Sequence, residues 1–152
     1  MSDINSPATP TAQDSPASAR LEAGLTAPNF TLPSDNGDSI TLSALRGQNI
    51  VLYFYPAAMT LGCTTEACDF RDNLARLRSR GFTVLGISKD PMDKLVRFRE
   101  RDHLTFPLLL NTVLSISRLC MADLRTCPEI SCLYMAGQSV KAVCRGFEKP
   151  HF

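Results

Sequence analysis

The feature that most constrains the fold of this chain is a run of six consecutive apolar or aromatic residues, Ile50–Tyr55. A strand with one face in water alternates apolar and polar residues, whereas an unbroken run is typical of a strand covered on both faces. Such strands occur in parallel sheets that have other elements packed against both faces. Pro56 lacks a backbone N–H and ends the run. We therefore predict a central strand over residues 50–55.

Weaker patterns on either side of this strand predict an alternating order of elements. The predicted elements are strands over 27–32, 39–42, 83–87 and 106–110, a helical turn over 43–47, and helices over 63–80 and 91–102. Beyond residue 111 we expect a short helix over 115–124 and a short strand over 139–144. The arginines between Arg71 and Arg80 are expected to form a solvated face of the first long helix. Asp90 is the predicted N-cap of the second long helix, with Pro91 at its first position. Strand, helix, strand, helix, strand is the order of an α/β sandwich around a central, mostly parallel sheet.

Length and charge bound the domain count and the partners. A chain of 152 residues is long enough for one domain with one core. Its net charge of +1 offers no electrostatic case for nucleic acid or an anionic membrane. The first 20 residues are rich in Ser, Thr, Ala and Pro and lack the apolar core of a secretory signal. We expect a disordered leader over 1–20, a domain over 21–152 and a location in the cytoplasm.

The six cysteines are distributed unevenly. Residues 21–110 contain two of them, Cys63 and Cys68, and residues 111–152 contain the other four. Those four are Cys120, Cys127, Cys132 and Cys144. Structural disulfides are unusual in a reducing compartment, so reactive, metal-bound or simply buried thiols are the alternatives.

Cys63 follows the central strand and a loop containing proline and glycine, and it lies in the first turn of the predicted helix. Only the thiolate form of a cysteine is a nucleophile, and the unpaired N–H groups and dipole of a helix start favour an anion. The dipole gives at most about 1 kcal/mol at an exposed site, so an activated thiolate there also calls for a cationic neighbour. The alternative is that Cys63 is a small buried hydrophobic residue.

Three neighbours of Cys63 have chemistry that fits a thiolate site. The Thr60 hydroxyl can donate to or accept from a bound oxygen, and the rigid Pro56 ring can shield the sulfur from water. Cys68 lies five residues along the helix, where the two Cα atoms are about 8–9 Å apart. A disulfide needs about 4.4–6.8 Å, so these two cysteines can be joined only if the helix start unwinds. Alternatively, Cys68 is an ordinary helix residue.

The spacing Pro56-x-x-x-Thr60-x-x-Cys63 resembles the active-site motif of the peroxiredoxins. The segments 53–56, 62–72, 86–90 and 106–109 are similar to the atypical two-cysteine branch called bacterioferritin comigratory protein or peroxiredoxin Q, and the resemblance covers about residues 21–110. It implies a thioredoxin-like three-layer sandwich and reduction of hydrogen peroxide and organic hydroperoxides. Cys63 would become a sulfenic acid, Cys68 would form a disulfide with it, and thioredoxin or a similar dithiol would reduce that disulfide. The resemblance implies no metal or organic cofactor, and we expect a monomer or weak dimer.

The sequence departs from the pattern of this family in two places. Leu61 stands where the family usually has proline. After Leu110 nothing matches the family's strand whose arginine points at the thiolate, although Arg145 is a candidate by spacing, ahead of Arg118 and Arg125. The sheet is therefore expected to be incomplete at the C-terminus, with residues 111–152 divergent.

Two alternatives follow from this divergence. Cysteine content changes from 2 in 90 residues to 4 in 42, which suggests a shifted reading frame after Leu110. The chain would then be an inactive or partly folded peroxiredoxin. The second alternative is a zinc-binding module formed by Cys127, Cys132, Cys144 and His151.

Overall fold

A computed structural model describes residues 26–112 and the backbone of residues 131–136 and 139–145. The strands are β1 (Thr31–Pro33), β2 (Ser39–Thr41), β3 (Asn49–Phe54), β4 (Phe82–Ser88), β5 (Leu108–Leu110), β6 (Ser131–Ala136) and β7 (Ser139–Arg145). The helices are α1 (Leu61–Ser79) and α2 (Met92–Asp102), and a 3-10 turn spans Leu42–Leu45. Neither α1 nor α2, the helices within this described part, is long and apolar enough to cross a membrane.

Five strands form the main sheet in the order β5-β4-β3-β6-β7. β3 pairs in parallel with β4, which pairs in parallel with β5. β6 runs antiparallel to β3, and β7 runs antiparallel to β6. β3 is therefore the central strand, as its unbroken apolar run predicts. β1 and β2 form a separate antiparallel hairpin.

Alternate residues of β3 belong to cores on opposite faces of the sheet. Val51 and Tyr53 pack with residues of α1 and α2 in one buried cluster. Ile50, Leu52 and Phe54 pack with the hairpin and the 3-10 turn in another. Burying one large apolar side chain contributes about 1.5–3 kcal/mol, so both faces add to stability. The helices, the sheet and the hairpin form the three layers that the sequence predicts.

The predicted elements agree with the structure in kind and differ at their ends. α1 begins two residues before the predicted start, and β7 matches the strand predicted over 139–144 to within one residue. β6 was not predicted, although residues 132–136 are an apolar run, because a short run has no period that separates strand from helix. The predicted leader and a short helix predicted over 115–124 lie outside the described residues.

One prediction about a polar residue is wrong, and another is incomplete. Pro91, not Asp90, is the N-cap of α2, and the Asp90 carboxylate bonds elsewhere. The arginines of α1 are expected to form a solvated face, and Arg76, Arg78 and Arg80 are exposed. In addition, Arg71 donates to the backbone oxygen of Asp102 at 2.7 Å, and Arg78 donates to that of Thr105 at 3.1 Å. Both bonds tie α1 to the segment that ends α2.

Candidate functional site

Cys63 is the third residue of α1, and the short loop 56–60 joins it to the end of β3. Its side chain is a free thiol and the residue is only 3% exposed. The Tyr53 hydroxyl donates to the Cys63 carbonyl oxygen at 3.1 Å, which ties the helix start to the central strand. The first backbone N–H groups of a helix have no partner within it, so the thiol lies where an anion is favoured.

Loop 56–60 is held by hydrogen bonds on both sides of a strained residue. Met59 has a φ of 65°, a left-handed conformation that is unfavourable for a residue with a side chain. Just before it, the Ala58 N–H donates to Asp90 Oδ2 at 2.6 Å. Just after it, the Thr60 hydroxyl donates to the Ala57 carbonyl oxygen at 3.0 Å. This hydroxyl proton is engaged, so Thr60 Oγ1 can offer an incoming ligand only its acceptor lone pairs.

Pro56 and Leu61 lie at the surface of this loop. Pro56 is exposed, and Leu61 is 87% exposed as the first residue of α1. Proline is favoured at the first helical position because the missing N–H has no helical partner there. Leucine is compatible with the same backbone, since α1 starts at this residue, so the departure from the family pattern leaves the helix start in place.

Cys68 is a partly buried free thiol in the same uninterrupted helix as Cys63. Two residues five apart in an α-helix are about 8–9 Å apart at Cα, beyond the range of a disulfide. The structure therefore places Cys63 and Cys68 in one element without bringing their sulfurs together. Arg101 of α2 contacts the start of α1, where it donates to the Thr64 hydroxyl at 3.0 Å.

The carboxylate of Asp90 joins the loop to two other elements, a role that the sequence interpretation missed. Oδ2 accepts hydrogen bonds from the Ala58 N–H and from the Ser88 hydroxyl at 2.7 Å, and Oδ1 accepts one from Lys94 Nζ at 2.6 Å. Burial alone would raise the pKa of Asp90, but the bonds from Lys94, Ala58 and Ser88 together hold it below its usual range. Parallel strands end at the same sheet edge, so an aspartate just after β4 was a sequence signal for contact with the loop after β3.

Tyr55 interacts electrostatically with both this carboxylate and Cys63. It is 1% exposed and stacks on Tyr53 with ring centroids 5.0 Å apart. Burial, then the negative charge of Asp90, raises the pKa of Tyr55, and a Cys63 thiolate adds a smaller effect in the same direction. The phenol is therefore protonated at physiological pH and lies in the electrostatic field of both groups.

Of the three arginines considered as the cation beside Cys63, the structure describes the backbone of one, Arg145. Arg118 and Arg125 lie outside the described residues. Arg145 ends β7 and is level with Ser131, which in turn pairs with Phe54. Only the backbone of Arg145 is described, so its role as the partner of Cys63 stays a prediction.

No group of three or more His, Cys, Asp and Glu residues that could hold a metal ion occurs in the part of the chain that the structure describes. The proposed zinc ligands Cys127 and His151 lie outside that part. Cys132 and Cys144 are directly paired across β6 and β7.

Comparisons with known proteins agree with the resemblance that the motif of Pro56, Thr60 and Cys63 indicates. Peroxiredoxin Bcp of Escherichia coli K12 is 49% identical over 89 residues, which are 59% of this chain and 57% of that protein. The crystal structure of peroxidoxin BcpB from Mycobacterium tuberculosis has a TM-score of 0.73 at 29% identity, covering 84% of this chain and 87% of that one. The crystal structure of a PrxQ mutant from Xylella fastidiosa gives a TM-score of 0.73 at 26% identity, covering 88% and 91%.

These similarities confirm the thioredoxin-like fold and the resemblance to the Bcp and peroxiredoxin Q type. The match to the E. coli relative spans little more than half of that protein's length. A family model described as the AhpC/TSA family matches residues 23–122, or 100 of the 152 residues. This chain therefore belongs to the AhpC/TSA family.

Proposed function

We propose that this chain is a thiol-dependent peroxidase, a thioredoxin-dependent peroxiredoxin, with Cys63 as the nucleophile. The observation that carries the proposal is the position of Cys63. It is a free, buried thiol in the first turn of a helix, directly after the loop that contains Pro56 and Thr60. The similarity of this chain to Peroxiredoxin Bcp over this region supports thiol peroxidase chemistry.

In the first step the Cys63 thiolate attacks one oxygen of hydrogen peroxide or an organic hydroperoxide. The O–O bond breaks, an S–O bond forms, and the departing oxygen takes a proton to leave as water or an alcohol. Cys63 becomes a sulfenic acid. Thr60 Oγ1, whose proton is engaged by Ala57, can accept a hydrogen bond from the peroxide O–H and orient it. Pro56 is exposed and belongs to the loop that leads into Cys63, and shielding of the sulfur by its ring is part of this proposal.

In the second step the Cys68 thiolate attacks the sulfenic sulfur, an S–S bond forms, and the oxygen leaves as water. The start of α1 has to unwind first, because an intact helix keeps the two residues too far apart. Unwinding breaks the bond of Tyr53 with the Cys63 carbonyl and that of Arg101 with Thr64. Helix ends are among the regions that open at the lowest free energy. Thioredoxin or a similar dithiol then supplies two electrons and two protons to restore both thiols.

The test is peroxide consumption coupled to thioredoxin and its reductase, with hydrogen peroxide and an alkyl hydroperoxide as separate substrates. Cys63→Ser is expected to abolish turnover. Cys68→Ser is expected to remove recycling while leaving one equivalent of sulfenic acid, trapped by dimedone and counted by intact mass. Cys132→Ser is the control, expected to retain turnover. Turnover that survives Cys63→Ser would overturn the proposal, and turnover that survives Cys68→Ser would overturn only the role of Cys68.

The frame-shifted alternative makes a different prediction for the same protein. A partly folded chain would show no Cys63-dependent turnover and a broad, non-cooperative thermal transition. Translating the gene in its other two frames after the Leu110 codon tests the origin of residues 111–152 directly. The proposed assembly is a monomer or weak dimer in the cytoplasm, which sedimentation of the purified chain and fractionation of the cells that express it would check.

A further inference from the structure

We propose that Asp90 is a positioning residue for this reaction, whose carboxylate holds loop 56–60 in the shape that presents Cys63 to a peroxide. The inference rests on the proposed function and goes beyond it, because Asp90 is outside the motif that contains Pro56, Thr60 and Cys63. It is 27 residues from Cys63 in the chain and reaches the loop only through the fold.

The contact between Asp90 and the loop is direct and well shielded. Its side chain is 11% exposed, and Ala58, whose N–H it accepts, is 2% exposed. A hydrogen bond to a charged acceptor in such surroundings is stronger than one between neutral groups. Replacing the aspartate side chain by the methyl group of alanine leaves the Ala58 N–H buried without this acceptor, which is the costly way to lose a hydrogen bond.

The loop needs such an anchor because it contains a strained residue. Met59 is left-handed, and a conformation of that kind persists only where neighbouring contacts enforce it. The bond of Ala58 with Asp90 constrains the loop before Met59, and the bond of Thr60 with Ala57 constrains it after. Without Asp90, Met59 is free to relax, and the turn that leads into Thr60 and the helix start moves with it.

Asp90 is itself held in place from both sides. The Ser88 hydroxyl at the end of β4 and the Lys94 ammonium on α2 both donate to it. The Ser88 hydroxyl also accepts the backbone N–H of Asp90 at 2.9 Å. The sheet and α2 thus fix the carboxylate, and the carboxylate fixes the loop. Displacing a reacting group by about 1 Å can lower a rate by about a hundredfold. Even a small shift of the loop on loss of these contacts is therefore expected to affect catalysis.

The experiment compares two reactions of Cys63 in the Cys68→Ser background. One is sulfenic acid formation with hydrogen peroxide, which needs the peroxide to be oriented by the loop. The other is alkylation by iodoacetamide, which needs only an accessible thiolate. We expect Asp90→Ala to lower the peroxide rate constant by about tenfold to a hundredfold, with a much smaller change in alkylation. A residue that merely stabilises the fold would change both rates by similar factors, because opening of the fold also controls alkylation of the buried thiol.

Two variants separate the hydrogen bond from the charge. Asp90→Asn can still accept the Ala58 N–H through its amide oxygen, so it is expected to restore most of the peroxide rate. Lys94→Met removes the ion pair that holds the carboxylate from α2 but leaves the Ala58 bond, so it is expected to lower the peroxide rate constant less than Asp90→Ala does. Asp93→Ala is the matched control, because it deletes a 69% exposed carboxylate from the first turn of the same helix. If Asp90→Ala does not fold, Asp90→Glu serves instead, since it keeps the charge and displaces the carboxylate by one methylene.

Each outcome has a definite meaning. An Asp90→Ala protein that reacts with peroxide as fast as the Cys68→Ser parent overturns the positioning role and leaves the proposed function intact. Changes of similar size in both reactions, in either direction, or failure of Asp90→Asn to recover, also overturn it. A parent protein that forms no sulfenic acid at all overturns the proposed function and this assignment together.

Discussion

The hydroxyl of the fully buried Tyr53 donates to the carbonyl oxygen of Cys63, so the central strand is bonded to the third residue of the helix it precedes. In an α-helix that carbonyl also accepts the amide of the residue four positions on. The Tyr53 bond is therefore an additional link that holds the first turns of α1 against the sheet, and the proposed disulfide between Cys63 and Cys68 would require these turns to open.

Removing this link tests how it stabilises the helix start. In Tyr53→Phe, the loss of one hydrogen bond is expected to make opening of the first two turns about twofold to tenfold more frequent. Hydrogen exchange of the amides of residues 64–68 measures this frequency. Tyr55→Phe is the control, expected to leave exchange in α1 unchanged. Equal acceleration over all of α1 would show that Tyr53 stabilises the fold as a whole instead.

Gly86 of β4 occupies a site where a larger residue does not fit. An added Cβ would lie 2.8 Å from Leu108 Cδ2 and 3.4 Å from both Phe106 Cε2 and Tyr55 Cε1. Gly86→Ala is therefore expected to lower the free energy of unfolding by about 1–3 kcal/mol in urea denaturation. Gly62→Ala is the matched control, because nothing lies within 4 Å of its added Cβ and alanine favours the helix. Equal stability of the two variants would contradict the packing argument.

The left-handed backbone of Met59 predicts an inverted order of stability for two small substitutions. Both Met59→Ala and Met59→Gly remove the side chain, so the comparison isolates the backbone. Alanine is normally the more stable of the two, but here Met59→Gly is expected to be more stable by about 1 kcal/mol, because glycine adopts a positive φ without strain.

The control for this comparison lies two residues earlier. Ala57 has no positive φ, so Ala57→Gly is expected to lower the free energy of unfolding by about 0.4–1 kcal/mol. Urea denaturation measures the stability of all three variants. If Met59→Ala were the more stable of the Met59 pair, the strained conformation would not exist in solution.

The lowered pKa of Asp90 predicts how its contribution to stability depends on pH. A carboxylate with a folded-state pKa below its ordinary value of 3.8 binds fewer protons in the folded than in the unfolded state. Its contribution is thus complete above that ordinary value and is lost as pH falls through the lower, folded-state pKa. The difference in unfolding free energy between wild type and Asp90→Asn should be constant near neutral pH and shrink in acid.

Denaturant unfolding at a series of pH values, repeated at high salt, measures this difference. The Asp90 side chain is mostly buried, so salt is expected to screen its interactions only weakly. A difference between the two proteins that grows as the pH falls would contradict the sign of the effect.

Much of the fold and of the thiol site is visible in local patterns. The apolar run from Ile50 predicts the central strand, and the spacing of Pro56, Thr60 and Cys63 predicts a loop leading into a helix start. Both are properties of consecutive residues, because strand alternation and helix starts depend on neighbours in the chain. The predicted catalytic roles of Pro56, Thr60, Cys63 and Cys68 remain predictions.

The long-range partners of Asp90 and Arg71 were decided by the tertiary structure. A local rule makes Asp90 the cap of the helix it precedes, yet its carboxylate bonds to Ala58, 32 residues earlier. Arg71 likewise bonds to the end of α2 instead of facing only solvent. A hydrogen bond forms wherever packing brings donor and acceptor within about 3 Å, and strand pairing sets that distance irrespective of separation along the chain. The sequence by itself therefore determined where the nucleophile candidate is, and the fold determined what holds it there.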